Sequence, residues 1–263
     1  MDDLARQTKS RWEALAAANV LYSRPLLNLD TESARQEVDP FGVMGDVRGQ
    51  QVLCLASGGG QQSAALSLLG ANVTVLDLSE TQIERDRQAL DHYGLNGTLL
   101  QGDMRDLSRF ETSAFDLVWH AYSINFVPEA GVVFDQVRRV LRPGGLYRMQ
   151  WSNPFLAGTD ERYWSGDGYT LKHRYADSEI VDPDPYWDVH AEDGTHQRVA
   201  GPREFNHTLS TVINGLIGRS FALLGIWEAP RLAADSTPEP GTWEHYLTIA
   251  PPWLTLWARY QPA

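Results

Sequence analysis

Short apolar runs alternate along the chain with amphipathic segments between about residue 45 and residue 152. The runs predict β-strands, and the segments between them carry apolar residues at helical spacing. The predicted strands are 51–56, 72–79, 97 to about 103, 115–123 and 146–152, and the predicted helices end at Leu69, run from Ser79 to about Gly94, and cover 129–141. Strands that alternate with helices are typical of βαβ units, so we expect an α/β fold with a doubly wound, Rossmann-like and mostly parallel sheet.

Both ends of this pattern carry additional segments. Residues 1–44 form a predicted N-terminal helical arm, with an amphipathic helix over 4–19 that Pro25 stops. Either the arm packs on the domain edge, or it covers a ligand with Tyr22, Ser23 and Arg24 as its polar tip. Its function is therefore open at this point.

The strand–helix alternation ends at Pro154. Residues 154–201 are rich in Tyr, Trp, Asp, Gly and Pro. An insertion of this length after a strand is either a lid or structural padding, and its aromatic residues favour a lid over a binding pocket. Residues 202–263 then predict a helix over 202–219, a strand over 221–228, a short helix over 242–250 and an antiparallel last strand over 253–260. We therefore expect a single domain over 1–263, with 45–153 as its cofactor-binding core and 202–263 completing the sheet.

Composition and charge exclude several kinds of partner. The chain has 263 residues and a formal net charge of −12, without a basic stripe, which argues against nucleic acids and anionic membranes and leaves a small-molecule substrate. We find no apolar stretch of membrane-spanning length and no signal-peptide pattern, and the single cysteine, Cys54, cannot form an intramolecular disulfide, so we expect a cytoplasmic protein. The histidines show no metal-ligand spacing, so no metal is predicted. The sequence gives no indication of oligomeric state.

The most informative stretch is VLCLASGGGQQS, residues 52–63. An apolar strand is followed by Ala56, Ser57 and three consecutive glycines, and then by a helical pattern. Glycines let the backbone turn tightly and let a ligand approach its N–H groups, so this stretch predicts a cofactor loop. The dinucleotide fingerprint GxGxxG is an alternative, but its third glycine falls on Ser63.

Five elements in order specify the cofactor further: VLCLASGGG, VLDLS ending near Asp77, QGDM with Asp103, FDLVWHAYS, and LRPGG before the fifth strand. With them the chain resembles class I S-adenosylmethionine-dependent methyltransferases, of the small-molecule type and similar to the methyltransferase type 11 group. The resemblance implies S-adenosyl-L-methionine as cofactor and S-adenosyl-L-homocysteine as product.

The resemblance also implies which residues bind the cofactor. Asp77 would accept hydrogen bonds from the ribose hydroxyls, unless it is a helix cap. Asp103 would bind the adenine amine, unless it is only a turn residue. The full predicted cofactor set is Tyr22, Arg24, Ala56, Ser57, Gly58, Gly60, Gln61, Gln62, Asp77, Leu78, Gly102, Asp103, Met104, His120 and Ala121.

The glycine turn departs from the family pattern at two positions. Cys54 stands where the family usually has an acidic residue, and Ala56 stands at the first glycine. The partner of the cofactor ammonium must then lie elsewhere, and Gln61, Gln62 or Arg24 could bind its carboxylate.

Methyl transfer needs a general base only if the acceptor starts protonated. The candidates are Tyr122, His190 and His207, although surface or capping roles are the alternative for each histidine. Aromatic residues concentrated around the insertion favour an apolar or aromatic acceptor. Two other functions stay open: a non-catalytic binder or sensor of S-adenosylmethionine or S-adenosylhomocysteine, and a protein or RNA methyltransferase.

Overall fold

A seven-stranded sheet forms the centre of the molecule. The computed structural model describes residues 1–182, 184–190, 196–229 and 237–262. The strands of this sheet are β1 (Gln51–Leu55), β2 (Asn72–Asp77), β3 (Thr98–Gln101), β4 (Phe115–Tyr122), β5 (Leu141–Ser152), β10 (Phe221–Ala229) and β11 (Trp253–Tyr260). Their order is β10-β11-β5-β4-β1-β2-β3, and β11 runs antiparallel to both of its neighbours. The predicted doubly wound sheet with an antiparallel last strand is confirmed.

Helices cover both faces of the sheet. They are α1 (Asp3–Ala17), α2 (Thr31–Val38), α3 (Gln62–Leu68), α4 (Glu80–Tyr93), α5 (Ala130–Val140), α6 (Leu209–Ile217) and α7 (Trp243–Ile249). Side chains of α2 and α3 belong to one apolar cluster, and those of α5 and α6 belong to the other. The sheet therefore separates two hydrophobic cores.

Strand β1 shows why the central strands read as continuous apolar runs. It lies between β2 and β4, and successive side chains of a strand point to opposite faces. Leu53 and Leu55 join the core of α5 and α6, whereas Val52 and Cys54 join the core of α2 and α3. Burial raises the pKa of the Cys54 thiol, which is consistent with an inert packing residue.

The segment between β5 and α6 folds into two small antiparallel pairs. Strand β6 (Ser178–Ile180) pairs with β9 (Glu204–Asn206), and β7 (Tyr186–His190) pairs with β8 (His196–Ala200). The predicted helix over 202–219 is therefore wrong in its first part. The side chain of Thr208 accepts a hydrogen bond from Thr211 N and caps the helix there, so α6 begins only at Leu209.

Helix α1 packs beside the main sheet, where it contacts α4 and β8. Its N-cap is Asp2, whose carboxylate accepts from Ala5 N at 2.8 Å. In the part of the chain that the structure describes, no helix is long and apolar enough to cross a membrane.

Candidate active site

A cavity of about 480 Å³ opens at the edge of the sheet where the parallel strands end. Open α/β sheets bind ligands at this edge, at the point where the strand order reverses. Here the reversal lies between β1 and β4, which are neighbours in the sheet although β2 and β3 separate them in sequence. The cavity is lined by residues that follow β1, β2, β3 and β4, together with one face of α1 and side chains of β7 and β9.

The glycine turn forms the wall of the cavity beyond β1. Ala56 has a φ of +45°, a left-handed value that is unusual for a residue with a side chain, and its N–H donates to Leu76 O at 2.7 Å. Gly58 N donates to Asp77 Oδ2 at 2.9 Å, and a Cβ on Gly58 would lie 2.7 Å from that of Gln82. The turn thus requires glycine at 58 and is strained at 56.

Replacement of Ala56 by glycine is expected to leave the free energy of unfolding unchanged or to raise it slightly. The left-handed conformation costs alanine about 1–2 kcal/mol. The greater chain entropy of unfolded glycine offsets about 0.5–1 kcal/mol of that gain. Ala14→Gly, in the regular backbone of α1, is the control and should lose about 1 kcal/mol. Urea unfolding measures both variants, and equal losses would contradict strain at Ala56.

Asp77 occupies the end of β2 and faces the cavity. Its Oδ1 accepts from Ser79 N at 2.9 Å, and its Oδ2 accepts from Gly58 N. Ser79, not Asp77, is the N-cap of α4, since the Ser79 hydroxyl accepts from Gln82 N at 3.1 Å. Burial raises the pKa of Asp77. The carboxylate therefore joins two cavity walls and keeps further lone pairs available for hydroxyl donors.

Asp86 on α4 supports the glycine turn from behind, and the sequence did not point to it. It is fully buried, and its oxygens accept from Gly59 N and Gly60 N, both at 3.1 Å, and from the hydroxyl of Ser63. Burial raises the pKa of Asp86 to about 7, and the charge of Asp77 contributes. This carboxylate fixes the back of the glycine turn from a position 26 residues further along the chain.

The first end of the arm is tied to the loop after β3. Arg105 forms bidentate contacts with Asp103, with Nη2 2.6 Å from Oδ2, and its Nη1 also donates to Asp2 Oδ2 at 2.8 Å. Asp103 is therefore paired within the protein as well as lining the cavity. The Asp2–Arg105–Asp103 cluster closes one end of the cavity.

The middle of the arm, from Glu13 to Ser23, is held against α4 by hydrogen bonds. Arg85 donates to Ala16 O and to Ser23 O at 2.5 and 2.6 Å. Glu13 accepts from Glu80 N at 2.7 Å, so α1 supplies an acidic partner to the first turn of α4, where the helix dipole favours it. The apolar face of α1 then lines the cavity with Leu4, Ala5, Thr8 and Trp12.

Aromatic side chains form the part of the cavity beyond β4. Trp12 packs edge-on against Phe126 and Trp187, with ring centroids 5.6 and 5.8 Å apart. Tyr122 packs against Trp253 at 6.2 Å. All five residues line the cavity, so a ligand in this part meets mainly ring surfaces.

One carboxyl group lies among these rings. Glu204 on β9 lines the cavity, and its Oε2 accepts from the hydroxyl of Tyr122 at 3.2 Å. Burial raises the pKa of Glu204 to about 7 and raises that of Tyr122 well above its usual value. The sequence did not point to Glu204, because the pattern over 202–219 predicts a helix where β9 is found.

Most of the predicted site residues do meet in the cavity. The lining residues among them are Tyr22, Ala56, Ser57, Gly58, Gln61, Gln62, Asp77, Leu78, Gly102, Asp103, Met104, Ala121 and Tyr122. The structure places four predicted residues off the cavity: Arg24, Gly60, His120 and His207. His190 ends β7, and its side chain lies outside the described residues.

Each of these four has a different environment. Arg24 Nε donates to Asn19 O at 2.8 Å, and Gly60 is turned toward α4 by Asp86. His120 is fully buried with its Nδ1 2.8 Å from the Tyr147 hydroxyl, and burial lowers its pKa to about 3. The ring of His207 is buried and its Nε2 lies 3.1 Å from Ile124 O. The two histidines belong to the packed interior and do not line the cavity.

Comparison with known proteins agrees with this geometry. Residues 53–149 match the model of a family described as methyltransferase domain. The chain is 31% identical over 224 residues to the uncharacterized methyltransferase YbaJ of Bacillus subtilis, covering 84% of this chain and 85% of that protein. It is 29% identical over 150 residues to a ubiquinone biosynthesis O-methyltransferase of Xanthomonas oryzae, covering 55% of this chain and 57% of that one.

A solved structure shows the same fold. An S-adenosylmethionine-dependent methyltransferase from Mesorhizobium loti superposes with a TM-score of 0.66 at 23% identity, covering 89% of this chain and all of that one. The chain belongs to the family of S-adenosylmethionine-dependent methyltransferases.

The residues present fit this cofactor. Gln82 is buried at the cavity wall, and its Oε1 has no hydrogen-bond partner within the described ranges, so a bound molecule can satisfy it. Asp77 offers lone pairs to a ribose, and Gly58 lets the turn pack directly against the side chains of Gln82 and Asp77 at the cavity wall. When bound, the cofactor supplies a methyl group on a positively charged sulfur.

Proposed function

We propose that the chain transfers a methyl group from S-adenosylmethionine to a small-molecule acceptor with an apolar or aromatic body. The observation that carries this proposal is a single cavity with two different halves. The cofactor half lies beyond β1, β2 and β3 and holds the glycine turn and Asp77. The acceptor half lies beyond β4 and is lined by aromatic rings. The two halves meet where β1 and β4 are neighbours, so the methyl group would be passed across that junction.

In this proposal the cofactor lies along the first half. Asp77 accepts the ribose hydroxyls, and Leu78 contacts the adenine. Gly102, Asp103 and Met104 surround the adenine from the loop after β3, and all of these residues line the cavity. The methionine end then lies near Ala56 and Ala121.

The arm (1–44) and the insertion (154–201) cover the cavity in this proposal. Trp12 of the arm and Trp187 of the insertion contact each other above the acceptor half. An enclosure of this kind excludes water from the reacting groups. It also favours a small acceptor over a protein or RNA, in line with the name of the ubiquinone biosynthesis relative. A cytoplasmic location stays a prediction.

Replacement of Asp77 by alanine is expected to weaken the binding of S-adenosylmethionine and of S-adenosylhomocysteine equally, because both contain the ribose. The loss should be about 1–3 kcal/mol, or roughly 5- to 150-fold in Kd. Asp91→Ala, at an exposed position of α4, is the control. Calorimetry gives both affinities, and an unchanged affinity would show that Asp77 only holds the glycine turn.

Turnover of labelled methyl groups tests the proposal as a whole. The protein is incubated with methyl-labelled S-adenosylmethionine and a library of aromatic, apolar and polar metabolites, and product formation is measured. Transfer to one or more apolar or aromatic members is the expected result. A protein that binds the cofactor yet methylates no small molecule would instead match the binder or sensor hypothesis.

A further inference from the structure

Three neighbouring strands and one outlying strand meet in the acceptor half of the cavity. Tyr122 on β4 is paired in register with Gln150 on β5, and Trp253 opens the adjacent strand β11. Glu204 faces them from β9, whose register partner is β6. Strand β9 is itself tied to the turn that follows β4, since Asn125 Nδ2 donates to Phe205 O at 2.8 Å. Glu204 is therefore held in place by the fold.

Charge is distributed unevenly along the cavity. The acids of the cofactor half are Asp77 and Asp103, and the cation Arg105 is paired with Asp103 and Asp2. Among the described residues that line the acceptor half, Glu204 is the only Asp, Glu, Lys or Arg. No ion pair between described residues includes it. The single hydrogen bond of its carboxyl group to a described residue is the one that the Tyr122 hydroxyl donates to Oε2. An anionic acceptor would meet repulsion here and no cation.

We propose that Glu204 is the base that takes the proton of the methyl acceptor, and that this acceptor is a neutral aromatic compound that reacts at a hydroxyl group. The inference rests on the methyl transfer proposed above. An aromatic body fits the rings of Trp12, Trp187 and Trp253, and a hydroxyl can donate to the carboxylate among them. A carboxylate acceptor is disfavoured by the charge of Glu204.

The chemistry favours a hydroxyl over an amine. A neutral amine attacks with a free lone pair and loses its proton afterwards, so it needs no nearby base, whereas a hydroxyl reacts well only as its proton leaves. The acceptor oxygen forms the new bond to the methyl carbon, and the sulfur–methyl bond breaks with its electron pair left on sulfur. The hydroxyl proton passes to a Glu204 oxygen, which later releases it to solvent. The products are a methyl ether, S-adenosylhomocysteine and one proton.

The protonation state of Glu204 makes this assignment measurable. Burial raises its pKa to about 7, and the titratable groups that face it are Tyr122 on β4 and Asp182, which follows β6 and raises the pKa further. Glu204 is the base only when ionised. The pH profile of kcat/KM should therefore rise through about pH 7.

The test uses three probes that share one ring system: 2-naphthol, 2-naphthylamine and 2-naphthoic acid. The full-length protein with S-adenosylmethionine should methylate 2-naphthol at least 10-fold faster than the other two. E204Q should lower kcat/KM for 2-naphthol by about 100-fold or more and abolish the rise near pH 7. Calorimetry should show an unchanged Kd for S-adenosylhomocysteine, because the substitution lies in the acceptor half.

Two control variants separate a chemical role from a structural one. Glu179→Gln removes an exposed acid of the strand that pairs with β9 and should leave the rate unchanged. Tyr122→Phe keeps the carboxylate, so the rise with pH should remain.

Four results would overturn the inference. The first two are a kcat/KM of E204Q for 2-naphthol within threefold of the wild type, and a loss of S-adenosylhomocysteine affinity in E204Q as large as its loss of kcat/KM. The other two are faster methylation of the amine or the acid than of 2-naphthol, and no methylation of 2-naphthol. Transfer to other members of the metabolite library would still leave the proposed function standing. The proposed function itself would fail only if the protein methylated no small molecule, so the two failures can be told apart.

Discussion

Replacement of Gly60 by alanine is expected to destabilise the protein by about 2–5 kcal/mol and to abolish measurable cofactor binding. Gly60 has a φ of +76°, which costs an alanine about 1–2 kcal/mol. A Cβ there would also lie 2.5 Å from Arg85 O and 2.8 Å from the Cβ of Ala89. Overpacking of this kind typically adds about 1–3 kcal/mol. Because both contacts belong to α4, the glycine turn would be pushed toward the cavity.

Gly94 provides a matched control for this variant. It ends α4 with a φ of +64°, and a Cβ there would meet no atom within 4 Å. Gly94→Ala should therefore lose only the backbone cost, about 1–2 kcal/mol, and should bind S-adenosylhomocysteine as the wild type does. Denaturant unfolding and calorimetry measure both quantities. Equal losses in the two variants would show that contact with α4 is unimportant at Gly60.

The core of the fold could be predicted because its signals are local. A strand that is buried on both faces, such as β1, is a continuous apolar run whatever its neighbours are. Helix ends also have local causes, as with Ser79 at the start of α4 and Gly94 at its end. The error at 202–219 has the opposite cause. Strand β9 is three residues long and exists because β6 pairs with it, a contact between segments about 26 residues apart.

The residues of the site also differ in whether a local sequence signal could predict them. The half of the cavity that we propose for the cofactor could be predicted from a turn motif, Asp77 and Asp103, since each lies at or just after the end of a strand and parallel strands end at one edge. Asp86 and Glu204 could not, because each lies on an element with no motif of its own: Asp86 is buried behind the glycine turn, and Glu204 lines the cavity. The family pattern has an acid at the position of Cys54, and here a buried acid from α4 supports the turn instead. Burial and then the nearby charge of Asp86 raise the pKa of the Cys54 thiol.

The histidine candidates show a further limit. His120 and His207 are polar in the sequence, and only the structure shows that both are packed inside, with Tyr147 and Ile124 as their partners. Chemical type alone made His207 a candidate base and did not point to Glu204. Position decides which of these groups a substrate can meet.

Asp86→Asn is expected to change the pH dependence of stability more than any surface substitution. Burial raises the folded-state pKa of Asp86 to about 7 from an ordinary 3.8. A raised pKa means that the folded state holds the proton longer than the unfolded state. The stabilisation is complete below about pH 4 and is lost as the pH rises to about 7, by about 4 kcal/mol in total. Asparagine does not titrate, so this loss should be absent in the variant.

The measurement is the free energy of unfolding of both proteins at several pH values between 4 and 8. The stability of the wild type relative to Asp86→Asn should fall from pH 4 to about pH 7 and level off above it. Titrating groups that do not interact with Asp86 cancel in the comparison. Asp91→Asn, an exposed position on the same helix, should give a flat difference. If the difference for Asp86→Asn is flat as well, Asp86 is ionised in the folded state throughout. The glycine turn would then be held by a full negative charge across the whole interval, because the Gly59, Gly60 and Ser63 donors would offset its burial.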